Sequence, residues 1–210
     1  LESGIPGVVG AKPIHLQSAA DRDAVQKYDQ LYIDIGAASR EEAMQHVQLG
    51  DFATFATGFY AYGGGRVASK ALDDRAGCAA LLHCLELLRD VPLNWDIAAV
   101  FAVQEELGCR GSAVAAFHTE PARAIAVDVS FALTPDADPA KCGVLGKGPM
   151  IGYAPGLDAD MTRKMEETAK ENGIPFQKEV MGGDTGTDAD SIAGAGAGVP
   201  TALLSIPLRY

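Results

Sequence analysis

Three nearly unbroken apolar runs, WDIAAVFAV (95–103), RAIAVDV (123–129) and TALLSI (201–206), are separated by stretches of helical length and pattern. Runs of this kind, rich in Val, Ile and Ala and lacking polar alternation, belong to strands covered on both faces. Residues 71–89 carry Leu81, Leu82, Leu85, Leu87 and Leu88 on one broad face, and 158–172 reads as a second helix. FQKEVM is edge-like, DADSIAGAG starts a further helix, and the alanine and glycine of 189–198 suit close helix packing. Strands alternating with helices predict an α/β sandwich from residue 68 onward.

The first third differs. LYIDIG (31–36) alternates apolar and polar residues and predicts a half-buried strand, while Ser18 caps a predicted helix over 19–28. Ser39 followed by Glu42 predicts a capping box opening a helix that ends near Gly50. FATFATGFYAY is β-prone and GGGR (63–66) breaks it, so residues 1–66 read as a compact, strand-rich module of their own.

Bulk properties exclude several classes of partner. Seventeen basic against 28 acidic residues give a net charge of -11, which argues against nucleic acid, whose binding needs clustered Lys and Arg. No run of about 18 apolar residues is present to span a membrane. The four cysteines are far apart with no CxxC pairing and read as free thiols, so the expectation is a cytoplasmic protein. The chain opens without Met and stops just after a buried-strand pattern, which predicts a piece of a longer or processed protein.

Acidic residues collect at the ends of these elements. ALDDRAG (71–77), QEELG (104–108), AVDVS (126–130) and GGDTGTDAD (182–190) all fall there; ligands of open α/β sheets bind outside the carboxyl ends of strands, and Glu105, Glu106 and Asp128 are expected at or near such ends. Asp73 and Asp74 read as helix caps or as ligands, and Glu105 and Glu106 as a solvated turn or as ligands. Asp184, Asp188 and Asp190 read first as turn and cap residues. Asp128 is different, because an aspartate inside an apolar strand needs a partner or a cation. A divalent ion would neutralise adjacent carboxylates, and a carboxylate left free beside it could serve as general base.

KALDDRAG (70–77), VQEELGCRG (103–111), AIAVDVS (124–130), GKGPMI (146–151), TGTDAD (185–190) and GVPTALLSIPLRY (198–210) occur in this order. Together they resemble the dinuclear metallo-aminopeptidases of the tetrahedral type, which include glutamyl and deblocking aminopeptidases and were once labelled endoglucanases. GVVGAKPIHLQ (7–17) resembles the start of that family's small inserted β-rich domain. The resemblance implies a three-layer, zinc-exopeptidase-like sandwich with a mixed, mostly parallel sheet in 67–210, and an oligomerisation domain in 1–66. It implies Asp73 as the carboxylate bridging two metals, Glu106 and Asp128 as ligands of one metal each, and Glu105 as general base. Two divalent ions per subunit follow, zinc first, with cobalt or manganese as alternatives, as do peptide substrates and a homo-oligomer, commonly a dodecamer.

Two histidine ligands of that family have no counterpart. The resemblance places one before the inserted domain and one shortly after Tyr210, both outside these residues. His15, His46, His83 and His118 are expected in surface or packing roles, His46 and His83 within helices. With Asp73, Glu106 and Asp128 alone, each zinc would have two protein contacts, so the chain by itself is expected to bind metal weakly. Two other readings stay open: a related co-catalytic zinc carboxypeptidase or deacylase, and a catalytically incomplete assembly module. A glycosidase is disfavoured, with Trp95 the one tryptophan available for sugar stacking.

Overall fold

The computed structural model describes residues 4–22 and 24–210. The chain divides into two compact units, Leu1–Gly58 and Phe59–Tyr210.

Among its described residues the first unit holds one antiparallel ladder, β1 (Val8–Gly10) against β2 (Tyr32–Asp34), with Val8 opposite Asp34. It adds two four-residue helices, α1 (Ala19–Arg22) and α2 (Arg40–Ala43). Both caps form where the sequence puts them. Asp21 N–H donates to Ser18 Oγ at 3.2 Å, and Glu42 N–H donates to Ser39 Oγ at 3.2 Å. The helices nevertheless stop far short of their predicted lengths; α1 ends at Arg22 and Asp23 lies outside the described residues. Val25 and Tyr28 are 95% and 94% exposed, so nothing apolar supports further turns, and short helices gain little alone. His46 consequently sits in a turn after α2, not in a helix. The strand at Tyr32–Asp34 is exposed throughout instead of half-buried, and no described residue of this unit is buried.

The second unit opens with a hairpin, β3 (Tyr60–Tyr62) and β4 (Arg66–Ala68), around the predicted glycine break, where Gly64 and Gly65 take φ of +77° and +70°. Its sheet comprises β5 (Ala124–Phe131), β6 (Met150–Tyr153), β7 (Gln177–Val180) and β8 (Thr201–Leu208) in the order β5-β8-β6-β7. β5 and β8 run parallel, as do β6 and β7, while β6 and β8 are antiparallel, so the sheet is mixed and mostly parallel. Helices α3 (Leu72–Leu88), α5 (Ala159–Glu171) and α6 (Asp188–Ala193) flank it, and α4 (Arg110–Thr119) packs on α6.

The core gathers Ala126 of β5, Leu203 of β8 and Ala189 of α6, with Leu157, Met181 and Ile192 around them. Ala189 is fully buried, as close packing of the alanine-rich segment requires. β8 is interior and carries buried Thr201, Ala202, Leu203 and Ser205, while β7 is an edge, both as the sequence predicts.

Two expectations are corrected. Residues 95–103 form no ladder, and Ile97 and Val103 are 51% and 68% exposed. An apolar run signals burial, but a strand also needs a neighbour to bond, and none of the described strands pairs with this one. β5 is likewise not a central strand covered on both faces. It is the sheet's other edge, with Ile125 and Phe131 exposed, and the leucine face of α3 shares this exposure at Leu82 and Leu87.

Candidate metal centre and general base

The chain enters α3 through an irregular turn. Ala71 has a left-handed φ of 54°, Asp73 and Asp74 are non-helical, and the peptide bond between them is cis. Regular helix begins after Asp74, whose carboxylate accepts the Gly77 N–H at 2.9 Å. Gly77 is required for that contact, since a Cβ there would fall 2.2 Å from Asp74 Oδ2. Of the two roles the sequence left open, the structure shows the cap. Asp74 caps the helix, and Asp73, exposed, is free of that duty.

A second strained segment carries the paired glutamates. Gln104 and Cys109 have φ of 60° and 53°, positions that non-glycine residues occupy at a cost of about 1 kcal/mol or more. Between them Glu105–Leu107 make one 3-10 turn, closed by Gly108 N–H donating to Glu105 O at 2.9 Å, and Cys109 N–H donates to the same oxygen at 2.8 Å. Gly111 anchors the far side: its N–H donates to Val103 O at 2.9 Å, and a Cβ there would lie 2.3 Å from the same oxygen. The turn separates the pair. Glu105 is half-buried and accepts from Cys109 Sγ at 3.5 Å, while Glu106 is exposed.

Asp128 is only 9% exposed, and its Oδ1 accepts the Val129 N–H at 2.7 Å. Burial pushes its carboxyl up to about 7, and repulsion from Asp74, Asp73 and Glu105 adds to the rise despite the Val129 bond. Asp74 is raised to about 6, first by burial and then by Asp73, Asp188 and Glu105, against the lowering effect of Gly77. Glu105 is raised by burial and by Glu106, Asp188 and Asp73, against the Cys109 bond. These reciprocal influences draw Asp73, Asp74, Glu105, Asp128 and Asp188 into one electrostatic neighbourhood. Glu106 enters it through Glu105.

Sequence reasoning missed one wall of this neighbourhood. Asp188 opens α6, but Thr187 supplies the cap by accepting from Ala189 N–H, which releases the Asp188 carboxylate for other partners. Asp188 Oδ1 accepts from the buried Ser112 Oγ at 2.5 Å, and Glu105, Cys109 and Asp188 offer ligating atoms all within 4.8 Å of one another. Burial and the Glu105 carboxylate push the Cys109 thiol up to about 11, so it stays protonated and donates. Asp190 behaves as predicted, accepting from Thr185 and Gly186 N–H in the preceding turn. His15, His46, His83 and His118 are all exposed; His83 faces Glu86 at 3.3 Å and His118 lies edge-on to Phe117.

The donor chemistry fits a divalent cation. The group is built of carboxylates, of which Asp128 is buried, Asp74, Glu105 and Asp188 are half-buried and Asp73 is exposed, and hard oxygen donors of this kind suit such ions. Asp73, Glu106 and Asp128 are not among the described trios within 4.8 Å, so they do not close around a single centre.

A family model described as M42 glutamyl aminopeptidase matches residues 2–210. The lysyl aminopeptidase of Pyrococcus furiosus is 38% identical over 206 residues, which cover 97% of this chain and 59% of that protein. The TET aminopeptidase structure from the marine sediment archaeon Thaumarchaeota archaeon SCGC AB-539-E09 superposes with a TM-score of 0.91 at 30% identity, covering 97% of this chain and 59% of that one. The TET1 peptidase of Pyrococcus horikoshii, described as assembling into a tetrahedron or a large octahedral shell, aligns with a TM-score of 0.79 at 37% identity, over 97% of this chain and 60% of that one. The chain spans 59 to 61% of the length of the curated relatives it matches first.

Proposed function

The chain belongs to the M42 glutamyl aminopeptidase family, a family of metallopeptidases, and from that premise we propose that the full-length protein removes N-terminal residues from peptides at the carboxylate cluster described above. Asp73 would bridge two divalent ions, with Glu106 holding one and Asp128 the other. The ions, when bound, supply Lewis acidity and make water a stronger acid. Glu105 is the general base: half-buried, raised above the usual carboxylate range and hydrogen-bonded by a neutral thiol, it accepts the proton of the attacking water and passes it to the leaving amine. Zinc is the first candidate ion, with cobalt and manganese as alternatives.

One observation carries this reading. Asp128, buried in β5, is surrounded by carboxylates and is driven up to about 7, an arrangement that a cation would relieve. The two histidines that the resemblance calls for would come from the part of the relatives' length that this chain does not span. Residues 1–66 are proposed as the inserted oligomerisation domain and 67–210 as the catalytic domain. The likeness to TET peptidases supports a homo-oligomer, with a dodecamer the form proposed. No helix among the described residues is long and apolar enough to cross a membrane, and a cytoplasmic location is part of the proposal.

Paired substitutions test the assignment in the full-length protein. Glu105→Gln should lower turnover of aminoacyl anilides by about a thousandfold with metal content near normal. Asp73→Asn should lose turnover and metal together. Equal metal loss in both variants would overturn the division of roles.

A further inference from the structure

The four-stranded sheet carries two acidic side chains, Asp128 on β5 and Glu179 on β7. Glu179 stands on the edge strand, yet both its oxygens reach across the sheet. Oε2 accepts from Ser205 Oγ on β8 at 2.7 Å, and Oε1 accepts a short hydrogen bond from Ser130 Oγ on β5. β6, which runs between β7 and β8, places Gly152 opposite Glu179 in register, leaving that position without a side chain.

The two hydroxyls bracket Asp128. Ser205 is its register partner on the neighbouring strand and is 1% exposed. Ser130 lies two residues further along β5 and therefore on the same face. A single carboxylate thus ties the residue across from Asp128 to the residue beyond it. Packing alone does not call for this. An apolar side chain would fill the position without the desolvation cost of a half-buried carboxylate whose hydrogen bonds come from neutral hydroxyls. Gln177, the preceding residue on that face of β7, works as a latch too: its amide donates to Val144 O and Gly148 O and accepts the Val144 N–H. Both inward positions of this strand therefore fix neighbouring segments.

We propose that Glu179 is a positioning residue for Asp128, holding through Ser205 and Ser130 the stretch of β5 that presents the Asp128 carboxylate to a divalent ion. The proposal rests on the reading of Asp128 as a metal ligand. Partners that orient a ligand in this way commonly change metal affinity by 10- to 100-fold when removed.

Zinc affinity of the full-length protein, measured by competition with a chromogenic chelator, tests this independently of turnover. Glu179→Ala should weaken zinc binding about 10- to 100-fold. Glu179→Gln should recover affinity to within about threefold, because an amide can accept from one serine hydroxyl and donate to the other. Ser205→Ala, a smaller change, should weaken binding in the same direction and covers the case in which Glu179→Ala does not fold. Glu166→Ala breaks the hydrogen bond from Tyr153 and the ion pair with Lys178 on the opposite face of β7, and should leave zinc affinity unchanged whatever it does to Tm. Wild-type affinity in Glu179→Ala, or an equal loss in Glu166→Ala, would overturn the proposal. If the unsubstituted protein bound no zinc, cobalt or manganese, the metal reading itself would fall, and this assignment with it.

Discussion

Two carboxylates of the second unit show opposite treatment of the same group. Glu166 of α5, whose side chain is 15% exposed, takes Lys170 Nζ at 2.5 Å, Lys178 Nζ at 3.0 Å and the Tyr153 hydroxyl. Those bonds, Lys170 first, hold its carboxyl down to about 2. Asp128 has its neighbour's N–H and three other carboxylates, and burial first and repulsion after it drive the group up to about 7. The fold can bring lysines to a carboxylate, and does so at Glu166. Where it instead gathers acids around Asp128, no such compensation is built in, which is the arrangement that the proposed cation would relieve.

The widest gap between the two should appear in catalysis. In the full-length protein, Asp128→Asn should lower both metal content and peptide turnover, turnover by roughly a hundredfold or more. Glu166→Gln should leave turnover within about twofold, since its partners Tyr153 and Lys178 lie on the face of the sheet opposite Asp128. Comparable losses at the two positions, followed by anilide hydrolysis and metal analysis, would erase the distinction.

A smaller effect separates them by pH in metal-free protein. Asp128 holds a proton more tightly when folded than when unfolded, so its contribution is intact below about pH 4 and is lost as pH rises through about 7. Asp128→Asn should therefore raise Tm at pH 8 by roughly 5 °C and change it little near pH 4. Glu166 has the opposite sign. Its contribution is present above the usual carboxylate range and fades as pH falls toward about 2, so Glu166→Gln should lower Tm at pH 7 and progressively less in acid. Thermal melts across this range would read both, and parallel pH profiles would refute the contrast.

The smallest expected effect concerns the geometry that commits Asp74 to capping α3. Gly77→Ala would put a methyl group 2.2 Å from Asp74 Oδ2 and break the cap. A loss of about 1 kcal/mol, or some 3 °C in Tm, follows from the cap alone. An unchanged melting curve would mean that Asp74 does not stabilise α3.

Much of this frame was legible because it is local. Ser39 and Glu42, the helix over 158–172 and the apolar register of β8 all declare themselves within a few residues. Asp128 stood out for the same reason, as an acid among Ala126, Val127 and Val129. The partners that define its surroundings are distant in sequence. Ser112 and Asp188 are 76 residues apart, and Ser130 and Glu179 are 49 apart, so no short pattern could pair them. Residues 95–103 mislead for a related reason. Their apolar side chains predict burial, but a ladder depends on backbone groups of another segment, which side-chain pattern does not report.

The most direct test of the central claim is hydrolysis of a panel of aminoacyl anilides by the full-length protein with and without a strong chelator. The account predicts that chelation abolishes cleavage and that zinc, cobalt or manganese restores it in the wild type but not in Asp128→Asn. Cleavage that continues undiminished after every divalent ion has been stripped would contradict it.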